Sequence, residues 1–152
     1  MRILVLSDSH GFESGLFRAI AQQPSARDVL FLGDGLRDIE YVRSHFPELS
    51  FTCVRGNNDF SATEPAERLV ELGGKRIFLA HGHTYGVKGT DYHLLSAAKS
   101  NGADIAVYGH THTPVTRYEE GIYLMNPGSV REGSYGIIDI TAGGIVCVLH
   151  RL

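Results

Sequence analysis

The sequence predicts an α/β domain in which two β-sheets pack face to face with helices on the outside. Three observations carry this expectation. The first half alternates short apolar runs of strand length with stretches whose apolar residues recur at helical spacing. The last third holds only strand-like runs, broken by glycine-rich turns. Between them, two runs joined by Gly73-Gly74 read as a hairpin.

Taken in order, residues 2–6 form a short apolar run rich in branched side chains, as in a strand buried on both faces. It stops at Ser7-Asp8-Ser9-His10-Gly11. Phe12, Leu16 and Ile20 then recur every four residues, giving a helix with one buried stripe that Pro24 and Ser25 close. Residues 28–32 are a second strand, ending at Gly33-Asp34-Gly35. Leu36, Ile39, Val42 and Phe46 mark a second helix, terminated by Pro47. Residues 50–54 are a third strand, ending at Arg55-Gly56-Asn57-Asn58-Asp59. This β-α-β-α-β opening predicts a parallel sheet with right-handed crossovers.

The hairpin strands are expected over 67–72 and 75–80, the second running into His81-Gly82-His83. Residues 91–100 suggest a helix with Thr90 or Asp91 as N-cap and Gly102 as its stop. A strand over 104–108 ends at Gly109-His110-Thr111-His112. The remaining strands, 115–118, 122–125, 135–140 and 145–149, are separated by Glu120-Gly121, Asn126-Pro127-Gly128-Ser129 and Ala142-Gly143-Gly144. They read as an antiparallel meander.

The bulk properties narrow the function classes. At 152 residues the chain is a single domain, 1–152, able to bury a proper core. A formal charge of -3 argues against a general nucleic-acid or anionic-membrane binder. The N-terminal apolar run is too short for a signal segment and no stretch approaches membrane-spanning length, so a cytoplasmic location is expected. Cys53 and Cys147 lie far apart without CxxC pairing and read as small buried hydrophobes in a reducing compartment.

The chemistry lies in the five strand-end clusters. Taken singly, Gly33-Asp34-Gly35 and Gly56-Asn57-Asn58-Asp59 are ordinary turn composition. His81-Gly82-His83 and Gly109-His110-Thr111-His112 are harder to assign to turns, which have little need of histidine. Five of the eight histidines fall in these clusters, each after an apolar strand. Carboxylate, amide and imidazole donors without thiolate suit manganese, iron, nickel, cobalt or zinc. Seven such donors exceed the needs of one ion. Two ions sharing a carboxylate would use them, at the separation of about 3.5–4 Å typical of two-metal phosphoryl chemistry.

The ordered set Asp-x-His, Gly-Asp, Gly-Asn-x-Asp, His-Gly-His and Gly-His-x-His resembles the calcineurin-like metallophosphoesterases. The length and the Val54-Arg55-Gly56-Asn57-Asn58-Asp59 wording are similar to the small YfcE-type phosphodiesterases. The resemblance covers nearly the whole chain and implies the four-layer αββα sandwich, with two mixed sheets face to face. It assigns one ion to Asp8, His10 and His112 and a second to Asn57, His81 and His110, with Asp34 bridging. His83 would sit near the substrate. Manganese heads the implied metals, with nickel, iron, zinc and cobalt behind it. Many family members carry histidine where Asn58 stands, as proton donor to the leaving group. Asn58 cannot titrate near neutrality, so the acid step passes to a metal-held water or to His83, or good leaving groups are preferred. Asn58 can still hydrogen-bond a phosphate oxygen.

The implied activity is hydrolysis of a small phosphodiester by in-line attack of a metal-bridging hydroxide, with Asp34, Asn58 and His83 as catalytic residues. Two rivals share the fold: a phosphomonoesterase or nucleotide pyrophosphatase on the same site, and a non-catalytic binding scaffold, as in one retromer subunit. The complete ligand set favours an enzyme. Small members of the group often form dimers or tetramers, although no residue here marks such an interface. Nucleic acid and membrane are not expected partners. Arg55 can reach a phosphate or pair with Asp59. The 126–129 stretch resembles a family loop near the site, yet turn geometry alone accounts for its composition. His45, His93 and His150 read as surface or structural, and Tyr85, Tyr92 and Tyr108 as core or pocket aromatics.

Overall fold

The computed structural model describes all 152 residues. The chain runs β1 (Arg2–Leu6), α1 (Glu13–Gln22), β2 (Asp28–Phe31), α2 (Leu36–Arg43), β3 (Ser50–Cys53), β4 (Glu67–Leu72), β5 (Lys75–Ala80), α3 (Tyr92–Ser100), β6 (Ile105–Tyr108), β7 (Val115–Glu119), β8 (Ile122–Asn126), β9 (Ser134–Thr141) and β10 (Gly144–Arg151). A 3-10 turn, His83–Tyr85, follows β5. Two five-stranded mixed sheets result, ordered β10-β9-β1-β2-β3 and β4-β5-β6-β8-β7. In the first, β1, β2 and β3 are parallel; in the second, β5, β6 and β8 are parallel.

Side-chain alternation along the strands explains the layers. On β1, Ile3 and Val5 face the second sheet, in a layer they share with Leu30 and Ile138 of the first sheet and Ile77, Leu79, Ile105 and Val107 of the second. Leu4 and Leu6 face the other way, against Leu16 and Ile20 of α1 and Ile39 and Val42 of α2. Phe78, Ala106, Tyr108 and Leu124 of the second sheet pack outward against Leu94, Leu95 and Ala98 of α3. Both faces of each central strand are therefore dry. This is why their sequences are continuous apolar runs without polar alternation. The three apolar layers separate four layers of secondary structure, the αββα sandwich expected.

The last four strands correct the single meander. Strands β7 and β8 form a hairpin, but β8 then lies parallel to β6. Strands β9 and β10 form a second hairpin that joins the first sheet, β9 antiparallel to β1. The 126–129 stretch is thus a crossover between sheets. Pro127 offers no N–H, and Asn126 and Ser129 direct their polar groups to neighbouring loops instead of to each other.

Two smaller expectations also shift. Helix α2 ends at Arg43; Phe46 still packs on the first core, held by 3-10-type turns ahead of Pro47. Asp91 occupies the N-cap position of α3, but its carboxylate accepts hydrogen bonds from Arg117 at 2.6 and 2.8 Å instead of capping the helix. Gly102 turns with φ 64° and ends α3 as expected. The free thiols of Cys53 and Cys147 sit on opposite edge strands of the first sheet and cannot pair. No helix is long and apolar enough to cross a membrane.

Leu79, fully buried between the sheets, tests whether they form one cooperative unit. Leu79→Ala should cost about 3 kcal/mol, from lost burial and the cavity left behind. Urea unfolding should show a lower midpoint in a single transition; two resolved transitions would mean that the sheets melt separately.

Candidate metal centre

The C-terminal ends of β1, β2, β3, β5 and β6 open onto one rim, where open α/β sheets keep their sites. Asp8 and His10 follow β1, Asp34 follows β2, and Asn57 and Asn58 follow β3. His81 and His83 follow β5, and His110 and His112 follow β6. To turn back toward a shared point directly after a strand, the backbone enters left-handed space. Six non-glycine residues have positive φ, and five are Asp8 (55°), His10 (43°), Asp34 (58°), His110 (67°) and His112 (59°). Each costs about 1–2 kcal/mol in an L-residue, strain that concentrates at functional sites.

The side chains gather into two groups. In the first, His112 Nε2 lies 3.1 Å from Asp8 Oδ1 and 3.3 Å from His10 Nε2, with His10 Nε2 3.5 Å from Asp8 Oδ1. In the second, His81 Nε2 lies 3.2 Å from His110 Nδ1, 3.1 Å from Asn57 Oδ1 and 3.5 Å from Asp34 Oδ2. Asp34 Oδ2 is also 3.9 Å from His10 Nε2, so this carboxylate stands between the groups. Asp8, His10 and His112 form one set able to hold a metal ion; Asp34, His81 and His110 form the other. Each set draws on both sheets.

The remaining ring nitrogens fix what these groups ask for. His81 Nδ1 donates to the Leu32 carbonyl at 2.7 Å, so its Nε2 carries the lone pair unless the ring is doubly protonated. That lone pair would face the Asn57 oxygen at 3.1 Å, acceptor to acceptor. His112 Nδ1 donates to Glu132 at 2.8 Å, leaving its Nε2 to face a carboxylate oxygen in the same way. Each group needs a cation at its centre, either a proton or a metal. The donor set, nitrogen and oxygen without sulfur, fits a divalent ion.

Several residues outside the predicted ligand set hold this geometry. Asp59 accepts from the backbone N–H groups of Asp34, Gly35, Leu36 and Gly56 at 2.7–3.0 Å. It caps α2 from a separate loop and makes no ion pair with Arg55. Asp38, in the first turn of α2, accepts from Ser9 Oγ and from Gly11 N–H, fixing the loop that carries His10. Asn126 donates to the Gly109 carbonyl, and Ser129 Oγ to the Asp8 carbonyl, both at the crossover whose sequence resembles a family loop near the site and whose composition turn geometry also explains. Asp8 Oδ2 receives the Ser7 hydroxyl and the His110 N–H, leaving Oδ1 for the centre. Gly56 and Gly109 are required: a Cβ at either would overlap a neighbouring side chain, that of Asp34 or of Ser7.

Charge follows from this packing. Burial pushes the Asp34 carboxyl up, but hydrogen bonds from His81 and Asn58 outweigh it and hold the group well below the usual carboxylate range. Burial pushes His81 down, while Asp34 and Asp8 win and raise it. Burial, His81 and Lys88 lower His110 to about 4. His83 is also lowered, first by burial and then by the charge of His81.

His83 sits in the 3-10 turn outside both groups, its ring 5.4 Å from that of His81, with Nδ1 buried and unpartnered. Asn58 donates its backbone N–H at 2.8 Å and its side-chain amide at 2.6 Å to Asp34. The other histidines are remote: His45 and His93 are exposed, and His150 stacks on Tyr135. Tyr108 is buried and bonded to Asp91, Tyr85 bonds to Glu67, and Tyr92 is exposed.

Comparison with known proteins gives the family. Residues 1–143 match the model of the calcineurin-like phosphoesterase superfamily domain. The chain is 34% identical over 132 residues to the probable metallophosphoesterase YsnB of Bacillus subtilis, covering 86% of this chain and 76% of that protein. It is 31% identical over 171 residues to the phosphodiesterase YfcE of Escherichia coli K12, covering 91% and 88%. Among solved structures, a predicted phosphoesterase from Streptococcus pneumoniae superposes with a TM-score of 0.79 at 25% identity, over 98% of this chain and 97% of that one.

Two outcomes follow from the geometry. Asp59→Ala removes one partner from four backbone N–H groups and should cost roughly 2–4 kcal/mol by chemical denaturation, while weakening divalent-ion binding. The second concerns pH. A proton on His81 competes with an ion, and His81 titrates above its ordinary 6.5. Raising the pH through that range deprotonates it, so divalent-ion affinity should rise and binding below it should release protons. Calorimetry in buffers of different ionisation heat measures this; pH-independent binding without proton release would contradict the assignment.

Proposed function

The chain belongs to the calcineurin-like phosphoesterase superfamily, and from that premise we propose that it is a dinuclear metal-dependent phosphodiesterase acting on a small phosphorylated substrate. Asp8, His10 and His112 would hold one ion and Asn57, His81 and His110 the other, with the Asp34 carboxylate, which stands between the two groups, available to both. The observation that carries this is the doubled acceptor-to-acceptor contact, one in each group, with a single carboxylate between them. One ion in each group would answer both contacts.

When bound, the ions supply Lewis acidity toward phosphate oxygens and lower the pKa of water. The chain's own residues do the rest. Ser7 and the His110 N–H fix Oδ2 of Asp8 and leave its Oδ1 inward, while Asn58 holds both oxygens of Asp34, with Oδ2 still facing His10 and His81. The Leu32 carbonyl and Glu132 set the tautomers of His81 and His112.

Asn58 braces Asp34 and, in the absence of substrate, is not poised as a phosphate ligand. His83 has its pKa lowered, so at neutral pH it is an N–H donor to a substrate oxygen and a poor proton donor. With no strong acid beside the phosphorus, esters whose leaving group needs no protonation are preferred. That favours a diester of an acidic alcohol, in keeping with the name of the YfcE relative. Manganese is the preferred ion, with nickel, iron, zinc and cobalt as competitors for the same donors. The proposal includes one domain over 1–152, assembly as a dimer or tetramer, and a cytoplasmic setting that keeps the Cys53 and Cys147 thiols free.

The test is a substrate and metal panel on purified protein. Bis-p-nitrophenyl phosphate should be hydrolysed in manganese faster than p-nitrophenyl phosphate or free nucleotides, with nickel and zinc tested alongside. Asp34→Asn keeps the shape but weakens the shared ligand, and should lower kcat by at least about 10²-fold. Near-normal turnover in that variant would refute the bridging role; a preference for the monoester would replace the diesterase reading with a phosphatase.

A further inference from the structure

A cleft of about 300 Å³ opens beside the candidate centre, between the first turns of α2 and the 58–64 loop. Asn58 belongs to both: its amide reaches Asp34 Oδ2 at 2.6 Å, and its outer face lines the cleft. Through Asn58 the cleft adjoins Asp34, so one arm of an ester held there would have this space beside it. Phe60 also lines it, 91% exposed and the barest large hydrophobic residue in the protein. The remaining walls carry Arg37, Glu40, Thr63 and Glu64.

These walls select the arm. Three carboxylates, Glu40, Asp59 and Glu64, against the one arginine, Arg37, repel a second phosphate or a carboxylate. Only three of ten lining residues are hydrophobic, too few to solvate an acyl chain. An uncovered aromatic face with donors and acceptors near it matches a flat, uncharged group with a polar edge. Base–aromatic stacking is the recurrent use of such a face and tolerates any base. The volume falls within the range of small-ligand pockets and accommodates a nucleoside. We infer that this cleft is the subsite for the nucleoside arm of a nucleotide diester, with Phe60 as its stacking platform.

This inference rests on the phosphodiesterase reading above, and two experiments separate their fates. The chain contains no tryptophan, so Phe60→Trp places a unique fluorophore on the platform. Thymidine 5′-monophosphate should quench it saturably in the manganese-loaded protein, and ribose 5-phosphate should not. Equal quenching by both, or none by either, would overturn the assignment whatever the activity.

The kinetic arm compares thymidine 5′-p-nitrophenyl phosphate with methyl p-nitrophenyl phosphate, which share a leaving group. The unaltered protein should prefer the thymidine ester. Phe60→Ala should lower kcat/KM for it by about tenfold more than for the methyl ester, chiefly through KM, and Phe60→Tyr should restore the difference. Equal losses on both esters, or no preference at the outset, would refute the subsite. Failure to hydrolyse either ester in any metal would sink the phosphodiesterase reading, and the cleft would then be judged by fluorescence alone.

Discussion

A strand that must deliver a side chain to a shared point immediately beyond its last hydrogen bond has to reverse sharply. This chain does so by forcing Asp8, His10, Asp34, His110 and His112 into left-handed backbone. Glycine would occupy those positions without strain but would bring no ligand atom. The conformation is kept because the surroundings over-determine it. Gly33, Gly35, Gly56 and Gly109 give the adjacent loops the closeness they need, at places where any Cβ would collide. Strain and close approach are thus two sides of one requirement, convergence from five separate strands.

Keeping strained loops in register falls to carboxylates that never face the centre. Asp59 gathers four N–H groups from two loops and the start of α2, and Asp38 ties the hydroxyl of Ser9 to the N–H of Gly11. Ser129 and Asn126 do the same from the opposite side, through carbonyl groups of Asp8 and Gly109. These bonds occupy the outward-facing polar atoms, so the atoms at the centre keep few other partners within the protein, the Asn58 amide on Asp34 being one. The functional groups are left looking at one another.

Much of this was legible in the residues. The apolar periods place nearly every element, because central strands dry on both faces cannot be polar and helices dry on one side show a single stripe. The strand-end motifs single out the residues that do converge. What escaped was non-local. Asp59 reads as turn composition or a partner for Arg55, because nothing in sequence says that a loop after β3 will cap a helix after β2. Asn126-Pro127-Gly128-Ser129 reads as a hairpin turn for the same reason, since a crossover and a turn share a vocabulary of Asn, Pro and Gly. Strand pairing in the last third failed with it: the segments were right and their neighbours were not. Phe60 carried no pattern at all; only its bare ring in three dimensions distinguishes it.

Each of the two side-chain sets takes members from both sheets, Asp8 and His10 opposite His112, Asp34 opposite His81 and His110. An ion seated in either set would therefore stitch one layer of the sandwich to the other along their common lip, adding to the bonds that cross it from His110 to Asp8 and from His81 to the Leu32 carbonyl. Stripping the ions would leave the greasy interior intact and let that lip gape. A chelated sample should accordingly be nicked by proteases first at the rim and only much later through the body, so that resistance to digestion doubles as a gauge of metal content.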